Sequence, residues 1–363
     1  VGDGNKRGDS QKTGFKGIGF KSVFSHSDFV FILSEGFSFS FAKEHWRNYW
    51  NKRWGNQQQW TADRLRKGKD PTVKMPWQMI PRWQPLPDEL DYLRDYKVAT
   101  IIRHDDMPTL RKKLKQLFSY TQILLFLRSR NVYLSIVERD AQLTIEKKHK
   151  GDRVELKKDG QTVSEWILRK YEFDVPATLR QKMEHDTRVP KKLKTATRAE
   201  MSFAIQVEQD HLIRPDKSNR IIFTYLPTSV NYNFPFLANA GFLTDAGRQN
   251  LHEDAPWNQW LFGEMPKMFF TWLSELAQTE MKDQLFKLLP PKLGSHTDLG
   301  RSFDEGFSEA LESVACIPNK SGQLLRVQEA LLDCTGLSEG LNANWVVEYV
   351  NQNYNKNHTT RHF

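Results

Sequence analysis

Two short apolar runs open the patterned part of the chain. Phe29-Val-Phe-Ile-Leu33 is followed by Phe37-Ser-Phe-Ser-Phe41, whose strict alternation is a strand signal. Ser34-Glu-Gly36 between them reads as a hairpin turn. Val98-Ala-Thr-Ile-Ile102 predicts another strand. From Met107 to Ser119 the period changes, and Leu110, Leu114 and Phe118 recur every fourth residue on one face of a helix. Thr121 to Phe126 is a further apolar segment and Val132 to Ile136 a strand. Strands continue over Leu143 to Leu156, Val163 to Leu168, Glu200 to Val207 and Arg220 to Leu226, with a turn at Gly160. From Pro256 to Gln284 the period is helical, and Trp257, Trp260, Leu261, Met265, Met268, Phe269 and Trp272 form an apolar stripe that reads as core.

Residues 43–96 break this pattern. Trp46, Trp50, Trp54, Trp60, Trp77 and Trp83 stand there among Gln, Arg and Pro, as in an irregular insertion with a helical first half. At 363 residues the chain exceeds one ordinary core. The expected division is 1–140 carrying the insertion, 141–290, and a partly helical extension with a polar tail at 291–363. The basic stretch Thr187 to Thr197 is the linker candidate.

Composition narrows the function classes. With 39% hydrophobic and 12% aromatic residues, the chain can bury a core. Its longest unbroken apolar run, Ile123 to Leu127, is far short of the roughly 20 residues that cross a bilayer, so no membrane association is expected. Cys316 and Cys334 have neither metal nor redox spacing, which suits a reducing intracellular compartment, cytoplasmic or nuclear. A net charge of +9 favours polyanions. The densest basic clusters, Lys147 to Lys150 and Arg188 to Lys194, nevertheless read as solvated surface. His104 beside Asp105 and Asp106, and His252 beside Glu253 and Asp254, read as loops, because sequence neighbours do not converge on one ion without a sharp turn.

The candidate chemistry lies in Gly14, Gly17 and Gly19, spaced G-x-x-G-x-G after a polar loop over residues 1–13 and before an apolar-faced segment, Phe20 to Phe24. Glycines permit positive φ and close backbone approach, so several amides can converge on one anion. A helix start would add its positive dipole end. Lys16 and Lys21 can supply charge. The run lacks the preceding strand of a Rossmann site and the ending of a Walker loop, and alone its spacing serves a flexible turn equally well.

Thr13-Gly-Phe-Lys-Gly-Ile-Gly-Phe-Lys-Ser-Val-Phe24 resembles the lid motif of the sacsin and NO VEIN-like branch of the GHKL (Hsp90-like) ATPase family. Later stretches are similar to that branch in the same order: Gly36 to Phe41, Val98 to Ile102, Leu124 to Leu127 with Val132 to Ile136, Ile222 to Pro227, Phe234 to Phe236, and Phe242-Leu-Thr-Asp-Ala-Gly-Arg248 leading to Ala255 to Leu261. The resemblance covers about residues 10 to 275. It implies an α+β chain: an Hsp90-like (Bergerat) ATPase sandwich, N-terminally truncated, then a second, middle-like α+β domain.

The resemblance also implies roles. Gly14, Lys16, Gly17, Ile18, Gly19, Phe20 and Lys21 would hold the nucleotide phosphates, Thr100 would line the pocket, and Arg248 would sense the terminal phosphate. The family's magnesium-binding Asn, catalytic Glu and D-x-G-x-G loop find no match, so the chain reads as a fragment with no catalytic or metal-ligating residue of its own. ATP with Mg²⁺ is the expected cofactor of the full-length parent, and client or partner proteins are implied. Lid closure on ATP would couple to the second domain in a large, chaperone-like intracellular protein. The alternative is an inactive scaffold or nucleic-acid-associated module. For it speak Arg47, Arg53, Arg64, Arg66 and Lys67 among the tryptophans, although cation–π packing explains that pattern equally well and nucleic acid is not favoured.

Overall fold

A computed structural model describes residues 22–54, 56–71, 77–138, 141–186, 189–245, 247–319, 322–331 and 361–362. It is a mixed α and β structure that divides into two compact units, Val1–Lys113 and Leu114–Phe363.

The first unit is built on a four-stranded antiparallel sheet. β1 (Phe29–Ser34) and β2 (Phe37–Ala42) form the expected hairpin, closed by Glu35 and Gly36 at φ 46° and 86°. A two-residue turn with positive φ at both positions matches the natural strand twist. β3 (Arg82–Trp83) adds to β2, and β4 (Val98–Ile102) adds to β1. Phe31 and Leu33 pack on one sheet face against Leu86, with Leu90, Leu93, Ala99 and Ile101 around them. On the opposite face Phe24 and Phe39 meet Phe41 edge-on, and Trp77 meets Phe24.

The Trp-rich stretch is helical in its first half. α1 (Lys43–Trp54) and α2 (Gln57–Arg66) are separated at Asn56, whose side chain accepts from the Gln59 amide while Gln59 answers the Asn56 amide. This capping box starts the second helix. Trp50 packs edge-on against Trp60, Arg64 lies over the Trp60 ring, and the Trp46 indole donates to the Ile80 carbonyl at 2.9 Å. Of the cations in this stretch, Arg64 thus lies on an aromatic ring, and Arg66 and Lys67 pair with Asp63.

The division between units falls within α3 (Met107–Ser119). The second unit contains a nine-stranded sheet in the order β12-β11-β13-β9-β8-β7-β6-β5, with β10 paired to β9. Its strands are β5 (Val132–Glu138), β6 (Ala141–Lys150), β7 (Arg153–Lys158), β8 (Gln161–Asp174), β9 (Arg198–Glu208), β10 (His211–Ile213), β11 (Ile221–Thr224), β12 (Leu226–Asn231) and β13 (Leu237–Ala240). The boundary expected after residue 140 lies inside the β5–β6 hairpin, where Glu138 pairs with Ala141. The stretch expected as a linker lies within this unit. It follows α4 (Ala177–Met183), holds the short α5 (Lys191–Lys194), and buries Val189 and Leu193.

Alternation gives the large sheet two apolar faces. On one, Leu124, Leu125 and Phe126 cover Ile145, Leu156, Trp166 and Phe223. On the other, Phe203, Ile205 and Ala238 meet α6 (Pro256–Leu276) and α7 (Asp298–Ser313), with Phe203 stacked on Trp272 at 5.8 Å. The apolar stripe of α6 is core, as its spacing predicts: Trp257, Leu261, Met265, Phe269 and Trp272 are all buried.

Candidate functional site

Arg248 stands on the loop Thr244 to Leu251, which follows β13. Thr244 and Leu251 form an isolated antiparallel bridge at its base. Within it the Asp245 carboxylate accepts from the Gln249 amide at 2.9 Å and from the Asn250 side chain at 2.9 Å. Those bonds favour the charged form and hold the Asp245 carboxyl below its ordinary value. The Arg248 amide donates to the Asp245 carbonyl at 3.2 Å, and Arg248 itself adopts φ 57°. Left-handed backbone costs a side-chain-bearing residue about 1–2 kcal/mol, and surrounding bonds must hold it there.

The loop around Arg248 is also held from below. Asn258, in the first turn of α6, is fully buried. Its Oδ1 accepts from the Leu243 amide at 2.8 Å, and its Nδ2 donates to the carbonyls of Leu243 and His252 at 2.8 and 2.9 Å. The Trp257 indole donates to the Gly241 carbonyl, and the Ser229 amide of β12 donates to the Gln249 carbonyl. The Arg248 side chain is half-buried and makes no hydrogen bond or ion pair among the described residues. A fixed loop therefore presents a permanent cation whose fork geometry suits phosphate or carboxylate oxygens.

Gly14, Lys16, Gly17, Ile18, Gly19, Phe20 and Lys21 lie outside the described residues. Ser22–Ser25, which follows them, is a four-residue 3₁₀ turn in place of the helix start expected at Phe20 to Phe24, and it is too short to supply a helix dipole. Thr100 is exposed on the edge strand β4, opposite Ile32 of β1. It shares a sheet face with Phe39 and Trp83, since Ile32 pairs with Phe39 and Phe39 with Trp83.

Two polar centres escaped the sequence reading. Lys147 is 2% exposed, and its Nζ donates to the carbonyls of Leu125 and Leu127 at 3.1 and 2.5 Å. The solvated surface expected for Lys147 to Lys150 is wrong for this residue, because the alternation of β6 turns Ile145 and Lys147 inward together. Burial pulls its ammonium down to about 8. The second centre joins Glu200 to Arg128 at 2.9 Å, to Tyr225 at 2.6 Å and to Lys170 at 2.7 Å. Burial acts to raise the Glu200 carboxyl, but the bonds from Lys170 and Tyr225 and the charge of Arg128 outweigh it and hold it low. Burial, with Glu200, pushes the Tyr225 hydroxyl up to about 12. Glu200 thus answers two cations, of which Lys170 also reaches Glu172 at 3.3 Å, as in a structural network.

Among the described residues, no group of three or more His, Cys, Asp or Glu is placed to hold a metal ion, and no helix is long and apolar enough to cross a membrane. The His104 ring accepts from the Asp106 amide at 3.1 Å.

No family model matches the chain, and no solved structure matches it. The sequence is similar to Protein NO VEIN of Arabidopsis thaliana, with 25% identity over 282 residues. That match takes in 74% of this chain and 9% of the relative, so the chain spans a small part of the protein it resembles.

Proposed function

We propose that the chain is the ATP-responsive part of a larger protein similar to NO VEIN. In this reading Gly14, Gly17 and Gly19 shape a phosphate cradle, Lys16 and Lys21 balance its charge, and Thr100 lines the nucleotide pocket. Arg248 answers the terminal phosphate, and ATP with Mg²⁺ is the ligand of the full-length protein, whose conformation governs partner proteins. The observation that carries this reading is Arg248 itself, held at φ 57° on a loop stapled by the buried Asn258, with no partner for its guanidinium among the described residues. Strained backbone kept in place by a buried amide suits a residue positioned for a ligand.

The second reading, a non-catalytic scaffold or nucleic-acid-associated module, draws on the adjacent Phe37 and Trp83 rings, which are 62% and 64% exposed. Flat exposed rings can stack on bases.

Calorimetric titration with Mg-ATP separates the two. The full-length protein is expected to bind, and Lys16→Ala or Arg248→Ala is expected to weaken binding about tenfold each, the loss of one charge-assisted contact. Absence of binding by both the 363-residue chain and the full-length protein overturns the proposal in favour of the scaffold.

A further inference from the structure

We infer that β5 is a self-association edge, through which two copies of this chain join their large sheets across a twofold axis. β5 ends the strand order, and among the described residues it pairs with β6 alone. It runs for seven residues, Val-Tyr-Leu-Ser-Ile-Val-Glu, without a register shift, a proline or a lysine. Tyr133, Leu134 and Val137 are 57%, 37% and 69% exposed. A regular, apolar, unpaired edge is a template for another strand, and proteins ordinarily blunt such edges. This protein does so at the other end of the same sheet. There β12 contains Pro227, and its Ser229 amide is taken by the Gln249 carbonyl.

The occupant is identified by the sequence of β5, which is nearly self-complementary about Ser135. An antiparallel copy in the register that sets Ser135 against Ser135 places Tyr133 opposite Val137 and Leu134 opposite Ile136. Aromatic on β-branched and aliphatic on aliphatic are favourable cross-strand pairs. At either end of the strand the same register sets Val132 against Glu138 of the other copy. A twofold axis supplies each of these pairs twice. The apolar layer also continues across the junction, because Leu134 pairs with Ile145 and so shares the face of the Leu124 to Phe126 cover.

Sedimentation velocity over a concentration series tests this with charge variants at the axis. Ser135 is exposed, so its replacement leaves the fold of one copy intact. Wild type is expected at twice the monomer mass with reversible concentration dependence. Ser135→Lys and Ser135→Glu, each opposing like charges, are expected as monomers with unchanged circular dichroism, and their equimolar mixture is expected to return to the dimer mass. Ser135→Cys is expected to form an intermolecular disulfide on oxidation, since facing residues of an antiparallel pair lie about 4.5–5.5 Å apart at Cα, within disulfide reach. A wild type that stays monomeric at the highest concentration, or a Ser135→Lys variant that stays dimeric, overturns the inference.

Discussion

The ammonium of Lys147 and the amide of Asn258 are both enclosed, and both hold irregular backbone by its carbonyls. For Lys147 the consequence is a pH dependence. Folding lowers its pKa from 10.5 to about 8, because burial disfavours the charged form. Below that range folded and unfolded chains both carry the proton, and the folded state bears the whole penalty of the buried charge. Between the two values the unfolded chain keeps a proton that the folded chain has released, so stability rises with pH across that window. The rise amounts to about 3 kcal/mol at most. Urea unfolding of wild type and Lys147→Met at either end of the window should show that rise in their difference, and a flat difference would refute the buried ammonium. Asn258 is a case of geometry without titration. Asn258→Ala should destabilise by about 2–3 kcal/mol, because the Leu243 amide and the His252 carbonyl lose their partner inside the protein. Asn258→Asp should be worse, since a carboxylate would face two carbonyls where an amide donated. Denaturation midpoints of the two variants give the order.

Helices α6 and α7 meet through a pair of glycines, and the contact is one-sided. A Cβ on Gly306 would lie 2.0 Å from the Gly263 carbonyl oxygen and 2.8 Å from its carbon, whereas one on Gly263 would meet nothing nearer than the Ser302 oxygen at 3.6 Å. Gly306→Ala must therefore push the helices apart, at about 3 kcal/mol, while Gly263→Ala should be neutral or gain up to about 1 kcal/mol from helix propensity. Equal effects in calorimetry would contradict this packing. At this scale much was legible in the sequence. The four-residue spacing of Met107 to Ser119 and the stripe of α6 each report one face of one element, and each is found where the period puts it, whereas the Phe37 to Phe41 alternation marks a strand whose Phe37 is exposed and whose Ser40 is buried. What escaped was the inward turn of Lys147 and the staple at Asn258. A lysine in a basic run has the same letters whether its strand faces water or core, and which face of β6 is covered depends on the distant segment Leu124 to Phe126. Arg248 was singled out by resemblance, yet its positive φ, and the staple from Asn258 at the base of its loop, were not announced by that resemblance.

The nine-stranded order was also beyond local reading, because pairings such as β13 with β9 join segments far apart in sequence. Topology in turn governs how the molecule should unfold. The second unit buries apolar side chains on both faces of its sheet, whereas the described cluster of the first unit is centred on Phe31, Leu33 and Leu86. Stability follows buried apolar area, so the first unit should unfold at lower denaturant than the second. The tryptophans make this measurable, since Trp46, Trp50, Trp54, Trp60, Trp77 and Trp83 precede residue 113, while Trp166, Trp257, Trp260, Trp272 and Trp345 follow it. Urea titration should show two fluorescence transitions. The later one should persist at the same midpoint in a chain that starts at Met107, which keeps α3 whole and leaves both faces of the large sheet covered. Coincident loss of fluorescence and circular dichroism in a single transition would mean that the two units unfold as one, since probes that agree throughout report an all-or-none process.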